Sequence, residues 1–409
     1  MSADTSIVSD TSAKPAINRS LSDKCVLQVI PDLAAGGAER TTLEVTEALI
    51  QSGARALVAS AGGRLENELI ALGGELIRRK SLRSKNPYII WRNASWIADI
   101  VRSQNVSIIH ARSRAPAWSA YWAAKRTHLP FVTTYHGAYG GKSSLKKWYN
   151  SVMARGETVI ANSSFIAEHV ALTYPDALPH LVTIPRGVDQ SAFSPENVSS
   201  DRINALKNEW FNEAPAKGRI ILLPGRLTAW KGQYQAVEAI AQLVRGGHSD
   251  ITLVLAGDDQ GRLEYRQSLL DLVNRERLHS QVRLVGHCSD MPAALALADI
   301  VLAPSQEPEA FGRVAAEAGA MGKPSVVSNI GGQVEIVAHG ETGLCVPPKD
   351  PSKLADAIRR LLDLDAMMLA DMGKKAAVRV NDRFSKTALQ QATLGVYERC
   401  LRTDSLGDE

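Results

Sequence analysis

Two glutamates, Glu309 and Glu317, flank a single glycine in the run Glu309-Ala310-Phe311-Gly312-Arg313-Val314-Ala315-Ala316-Glu317. An apolar run, Ile300 to Ala303, ends just before it, and a helical pattern opens after Gly312. Glu309 therefore precedes the helix and Glu317 lies in its second turn, so both can face a crevice at the carboxyl ends of parallel strands. A carboxylate is suited to chelating the hydroxyls of a sugar or ribose, since each oxygen accepts strong hydrogen bonds. Gly312 permits close backbone approach, and the free N–H groups near Arg313 and Val314 suit phosphate oxygens.

A second strand-to-helix turn, Pro224-Gly225-Arg226-Leu227-Thr228-Ala229-Trp230-Lys231-Gly232, carries two cations. Arg226 offers a planar fork for phosphate oxygens and Lys231 a compact point charge, a pair able to neutralise a diphosphate leaving group. Surface cations beside turns are also common without function. Near the amino terminus, Gly36-Gly37 follows the first strand candidate and opens a helix. Such a turn serves an anion or is purely structural. It is not G-x-G-x-x-G, which removes the main support for a nicotinamide or flavin cofactor. The segment from His110 to Trp118, with Arg112 and Arg114, leaves another strand end; together with Lys142, Lys146 and Lys147 it can present cations to an acidic acceptor. Asp258-Asp259 reads as a solvated pair, and no metal site is expected.

The elements that must position these groups follow from the alternation of short apolar runs with longer helical patterns, the βαβ rhythm of an α/β protein with parallel sheets. Strands are expected at Cys25 to Ile30, Arg55 to Ala59, Val106 to Ile109, Phe131 to Tyr135, Thr158 to Ala161 and Val182 to Ile184. A second set is expected at Ile220 to Leu223, Ile251 to Leu255, Val282 to Val285, Ile300 to Ala303, Ser325 to Val327 and Gly343 to Val346. The 409 residues exceed one ordinary core, which fits two domains. We expect a disordered leader over 1–24, domains over 25–200 and 201–383, a helix over 384–401 able to dock on either, and a tail over 402–409. The polar stretch from about Gln190 to Lys217 reads as the linker.

Composition narrows the function. Apolar residues are 45% and charged residues 22%, a globular balance. The four scattered cysteines form no C-x-x-C and suggest neither a disulfide framework nor a zinc site, so a reducing, cytoplasmic setting is expected. No apolar run reaches the roughly eighteen residues of a spanning helix. The net charge is +4, but residues 24–189 hold 20 lysines and arginines against 12 acidic residues. That excess is either a set of solvated helix faces or an attraction for an anionic acceptor or membrane surface, such as the cytoplasmic face of an inner membrane. Leu145, Trp148, Tyr149 and Val152 recur at helical spacing beside Lys146 and Lys147, as either core or a membrane-surface face. Nucleic-acid binding lacks a basic helix and an aromatic platform.

The spacing of Glu309, Phe311, Gly312 and Glu317 resembles the E-x7-E motif of retaining glycosyltransferases of the GT-B fold, notably glycosyltransferase family 4. Gly225-Arg226 with Lys231-Gly232, Ala256-Gly257, Val285-Gly286, Gly331-Gly332 with Glu335, and Gly340-Glu341-Thr342-Gly343 resemble that family's carboxyl-terminal domain. Tyr135-His136-Gly137, Asn162-Ser163-Ser164 and Ile184-Pro185-Arg186-Gly187-Val188-Asp189 resemble its amino-terminal domain, with Arg186 where asparagine is usual. The resemblance implies two Rossmann-like domains facing each other across a cleft, with the last helix returning to the first. It implies that Arg226 and Lys231 hold a donor diphosphate, Glu317 the ribose and Glu309 the transferred sugar. His136 would contact the sugar, and Gly36 and Gly37 the diphosphate from the other domain. It further implies a nucleotide-sugar donor, GDP- or UDP-linked, no cofactor, and transfer of a hexose with retention. Residues 110–118 and 133–141 resemble the lipopolysaccharide-core branch, which points to mannose and a glycan or glycolipid acceptor. The alternative from another class is a catalytically silent homologue serving as a binding or scaffold subunit.

Overall fold

A computed structural model describes residues 21–34, 36–140, 143–212 and 214–404. The expected leader lies outside them as far as residue 20, and so does the end of the expected tail, residues 405–409. The chain is α/β throughout. The first strands are β1 (Cys25–Val29), β2 (Arg55–Ser60), β3 (Glu75–Arg78), β4 (Ile108–Ala111), β5 (Phe131–Tyr135), β6 (Thr158–Ala161) and β7 (Leu181–Thr183). They lie in one sheet in the order β3-β2-β1-β4-β5-β6-β7. The second set is β8 (Arg219–Pro224), β9 (Ile251–Ala256), β10 (Val282–Gly286), β11 (Ile300–Ala303), β12 (Ser325–Ser328) and β13 (Gly343–Val346), in the order β10-β9-β8-β11-β12-β13 with every pair parallel.

Twelve of these strands fall where the apolar runs place them. Strand β3 escapes that reading because only two of its four residues, Leu76 and Ile77, are apolar, and on a sheet edge none of the four is fully buried. The expected linker also contains a helix, Ser200–Phe211, capped by Ser199 and anchored by buried Leu206, Trp210 and Phe211. Its polar exposed face conceals that anchor in the sequence.

In the second sheet, alternate residues serve opposite faces. Ile221, Leu223, Leu253 and Leu255 enter one core with Ile240 and Leu269, whereas Ile220, Leu222 and Val254 enter another with Leu206 and Trp210. Both faces are covered, which is why the strands read as continuous apolar runs. By internal packing, residues 21–133, 155–158 and 393–404 form one compact unit, and residues 134–154 and 159–392 a second.

The final helix, Lys386–Asp404, contributes its last turns to the first unit. There Tyr397 is buried, its hydroxyl 2.6 Å from His110 Nδ1. Burial pushes the Tyr397 phenol up from 10 to about 12, opposed by the nearby Arg112 charge. Below pH 10 the phenol is neutral both folded and unfolded. Between pH 10 and 12 the unfolded chain loses this proton and the folded chain keeps it, so stability falls as pH rises through that window. Tyr397→Phe is expected to flatten this alkaline decline in pH-dependent urea melts, while costing about 1 kcal/mol at neutral pH through the lost hydrogen bond. An unchanged alkaline slope would contradict this.

Candidate functional site

In an open parallel sheet, the crevice for a ligand opens where the strand order reverses. In the second sheet that point lies between β8 and β11, which pair directly although two strands, β9 and β10, come between them in sequence. Beyond β8 come Arg226 and Lys231, and beyond β11 comes the segment carrying Glu309. Topology therefore brings together the two segments singled out by residue type.

Local backbone contacts bring them to bonding distance. Ala229–Lys231 form a 3-10 turn ending in Gly232, whose φ of +79° is left-handed. A Cβ at Gly232 would stand 2.1 Å from the Pro304 carbonyl oxygen, so only glycine lets this turn lie against the end of β11. The Gln306 N–H donates to the Trp230 carbonyl at 2.6 Å, closing the same contact. Lys231 Nζ then donates to Glu309 Oε1 at 2.9 Å, with only 14% and 11% of the two side chains exposed. Ser305 donates to the same carboxylate oxygen. The Lys231 ammonium also stands 4.4 Å from the Trp230 ring centroid.

Glu317 is held in a parallel manner. It lies in the helix Arg313–Ala320, which begins at Gly312, and its Oε1 accepts from Arg313 Nε at 3.1 Å and Nη2 at 2.6 Å. In both glutamates, protein donors occupy Oε1, and among the described residues none donates to Oε2. Each carboxylate is thus oriented by one oxygen and can receive hydroxyl donors on the other. The segment between them is braced from below: Gly332 N–H donates to the Glu309 carbonyl at 2.8 Å, and Gly312 packs on Gln333. Phe311 is buried against Phe384 at the base, and Val314 follows Arg313 in the first helical turn.

Within the same unit, two motifs meet this segment. Glu335 accepts from the backbone N–H groups of Ser164 and Phe165 at 3.0 and 2.9 Å, at the start of the helix Ser164–Thr173. Ser163 donates to the Ala310 carbonyl, next to Glu309. Sequence reading noted both motifs without anticipating that they touch. His136, half-buried at the end of β5, lies 3.0 Å through Nδ1 from Arg186 Nη2. Arg226 is exposed and anchored through its carbonyl, which accepts from Gln233 Nε2 at 2.9 Å.

The residues expected in the first unit fare differently. Gly36 caps the helix Gly37–Gln51 in extended conformation, with no side-chain cap. The Glu39 carboxylate already lies against it, 2.3 Å from where a Cβ would stand. Arg112, expected to face an acceptor, is instead buried, a correction that burial itself explains. Its Nε donates to Gln28 at 2.8 Å, it bonds Tyr397, and desolvation pulls its pKa below the usual guanidinium value. It acts as a strut between β1, β4 and the final helix. Arg114 is half-buried at the start of the helix Arg114–Thr127, and Lys142 lies outside the described residues.

Asp258 and Asp259 serve as turn acceptors for the N–H groups of Gln260 and Gly261. Among the described residues, no group of three or more His, Cys, Asp or Glu could hold a metal ion, and no helix is long and apolar enough to cross a membrane. The stripe on the helix Ser144–Asn150 and the turn after it divides: Leu145 and Trp148 are exposed, whereas Val152 is buried.

Comparison with known proteins adds an independent line. Residues 205–379 match the family model of glycosyl transferases group 1, and residues 35–192 that of glycosyltransferase family 4. A glycosyltransferase of known crystal structure from Rickettsia africae is 35% identical, with a TM-score of 0.85 over 92% of this chain and 98% of its own. Glycogen synthase of Mycobacterium tuberculosis is 29% identical over 80% of this chain and 74% of its own. HepE of Anabaena, crystallised with UDP and glucose, is 24% identical, with a TM-score of 0.76 over 91% of this chain and 98% of its own. At that identity the likeness shows the fold.

Proposed function

Since this chain belongs to the group 1 glycosyltransferases and has their two-part GT-B fold, we propose that it transfers a hexose, with retention, from a nucleotide-diphosphate sugar to an anionic glycan or glycolipid. The observation that carries this reading is the Lys231–Glu309 pair at the switch point of the second sheet. On donor binding, Lys231 and Arg226 take the diphosphate, helped by the N–H groups of Arg313 and Val314. Glu309 takes hydroxyls of the sugar, Glu317 those of the ribose, and His136 contacts the sugar. The chemical step needs charge stabilisation on the departing phosphate, and a preorganised cation in a partly dry site supplies it. The leaving phosphate can itself take the acceptor proton, so no strong base is required of the chain.

Mannose, for lipopolysaccharide core or another surface polysaccharide, is the sugar suggested by residues 110–118 and 133–141. Glucose is the competing assignment, since the relatives include a glycogen synthase and a protein crystallised with UDP and glucose. Contact with an anionic membrane surface is supported by exposed Leu145 and Trp148 beside Lys146 and Lys147. It is also supported by exposed Tyr88 and Trp91, whose rings carry the guanidiniums of Arg92 and Arg126 at 6.0 and 5.9 Å. The binding-subunit alternative leaves unexplained why Lys231, Glu309, Arg313 and Glu317 are held so closely.

One experiment tests these assignments together: incubation with UDP-, GDP- and ADP-hexoses and glycolipid acceptors in anionic vesicles, followed by NMR of the product. The expected result is consumption of one donor, a new bond with the donor's anomeric configuration, and faster transfer on anionic than on neutral vesicles. An inverted product overturns retention, and consumption of no donor favours the binding subunit.

A further inference from the structure

We infer that Arg186 is a positioning residue that locks His136 as a neutral imidazole with its proton on Nε2, so that His136 acts only as a hydrogen-bond donor. Arg186 Nη2 lies 3.0 Å from His136 Nδ1. A guanidinium has five N–H donors and no acceptor, and it does not deprotonate in proteins. Nδ1 must therefore accept, which leaves the ring's one proton on Nε2. An imidazolium would set an N–H against an N–H and a cation against a cation, so the same contact opposes protonation. The tautomer of a histidine is fixed by what its other nitrogen meets, and here the partner admits one answer.

The arginine is not free to leave. It sits in the turn Pro185-Arg186-Gly187-Val188-Asp189, which is tied down on its far side. Val188 N–H donates to the Phe384 carbonyl at 2.8 Å, and Lys386 N–H donates back to the Val188 carbonyl at 2.9 Å. Lys386 Nζ bonds Asp189 at 2.8 Å. Gly187 lies so close to Lys386 that a Cβ would stand 2.4 Å from its Cα. Arg186 stands where the family pattern has asparagine, a side chain that offers either a donor or an acceptor and would leave the tautomer open.

The functional consequence rests on the proposed reading of His136 as a sugar contact: an Nε2–H can donate to a sugar or phosphate oxygen but cannot take a proton from an acceptor. The tautomer itself is measurable without any substrate. Long-range proton–nitrogen NMR of histidine-labelled protein at neutral pH, with His136 assigned by its absence in His136→Gln, should show Nε2 protonated and Nδ1 bare. Arg186→Met should give mixed tautomers or the charged ring, and Arg186→Lys, which still donates, should restore the wild-type pattern. Donor turnover should fall about tenfold in Arg186→Met and recover in Arg186→Lys, with donor KM moving less than kcat. A wild-type ring protonated on Nδ1, or a pattern indifferent to Arg186→Met, overturns the inference. The expected tautomers with no turnover of any donor would overturn the sugar-contact reading and leave the tautomer standing.

Discussion

Lys231→Ala is expected to lower glycosyl transfer by about a hundredfold to a thousandfold, with Glu309→Ala as severe. Charge on the departing diphosphate is what the chemistry must stabilise, and removing one preorganised donor to developing charge typically costs that much. The two substitutions should differ in stability. Lys231→Ala leaves the Glu309 carboxylate, 11% exposed, with Ser305 as its remaining side-chain donor, a cost of about 1–3 kcal/mol. Glu309→Ala leaves Lys231 beside the Trp230 ring, a partial replacement partner. The double variant should be destabilised by less than the sum of the two, since the pair is lost once. Urea melts and initial rates on purified variants check this. Near-normal turnover in both single variants would remove the pair from the mechanism.

Gly312→Ala should damage the site without touching a charged group. Gly312 has φ of +106°, and a Cβ there would lie 2.6 Å from Gln333 Cβ and 2.9 Å from its Cα. Gln333 cannot yield, being fully buried with its amide bonded to the Ser328 carbonyl at 2.8 Å. The backbone strain and the clash together suggest a loss of about 2–4 kcal/mol. Because Gly312 opens the helix that carries Arg313 and Glu317, donor affinity should also fall more than tenfold. Thermal melts and calorimetric titration with a nucleoside diphosphate would show both effects, and wild-type values in both would contradict the role given to this turn.

Much of the architecture was legible because buried parallel strands are apolar on both faces. Ile221 and Leu222 point to opposite cores, yet both must be apolar. The same rule hid β3, half-exposed on an edge, and the helix Ser200–Phe211, whose anchoring residues are outnumbered by polar ones. At the site, residue type and position after a strand pointed to Glu309, Glu317, Arg226 and Lys231. What no spacing could convey was pairing: that Lys231 and Glu309 bond each other, that Arg313 works through its side chain as well as its backbone, and that Ser305 and Glu335 take part. Those contacts depend on glycines that let distant backbones touch. Arg112 misled for the opposite reason. A cation after a strand looks like a ligand group, and only the fold reveals that Gln28 and Tyr397 wait for it in the interior.

The most direct test of the central claim, that the Lys231–Glu309 crevice holds a nucleotide-sugar donor, is a thermal-shift panel of UDP, GDP, ADP and their hexose conjugates on wild type, Lys231→Ala and Glu317→Ala. A ligand that binds the folded state and not the unfolded chain raises the melting temperature, by more as its concentration exceeds its Kd. The predicted result is selective stabilisation of the wild type by one nucleoside diphosphate and its conjugate, and loss of that response in both variants. Silence of the wild type toward every nucleotide, or a response untouched by both substitutions, would contradict it.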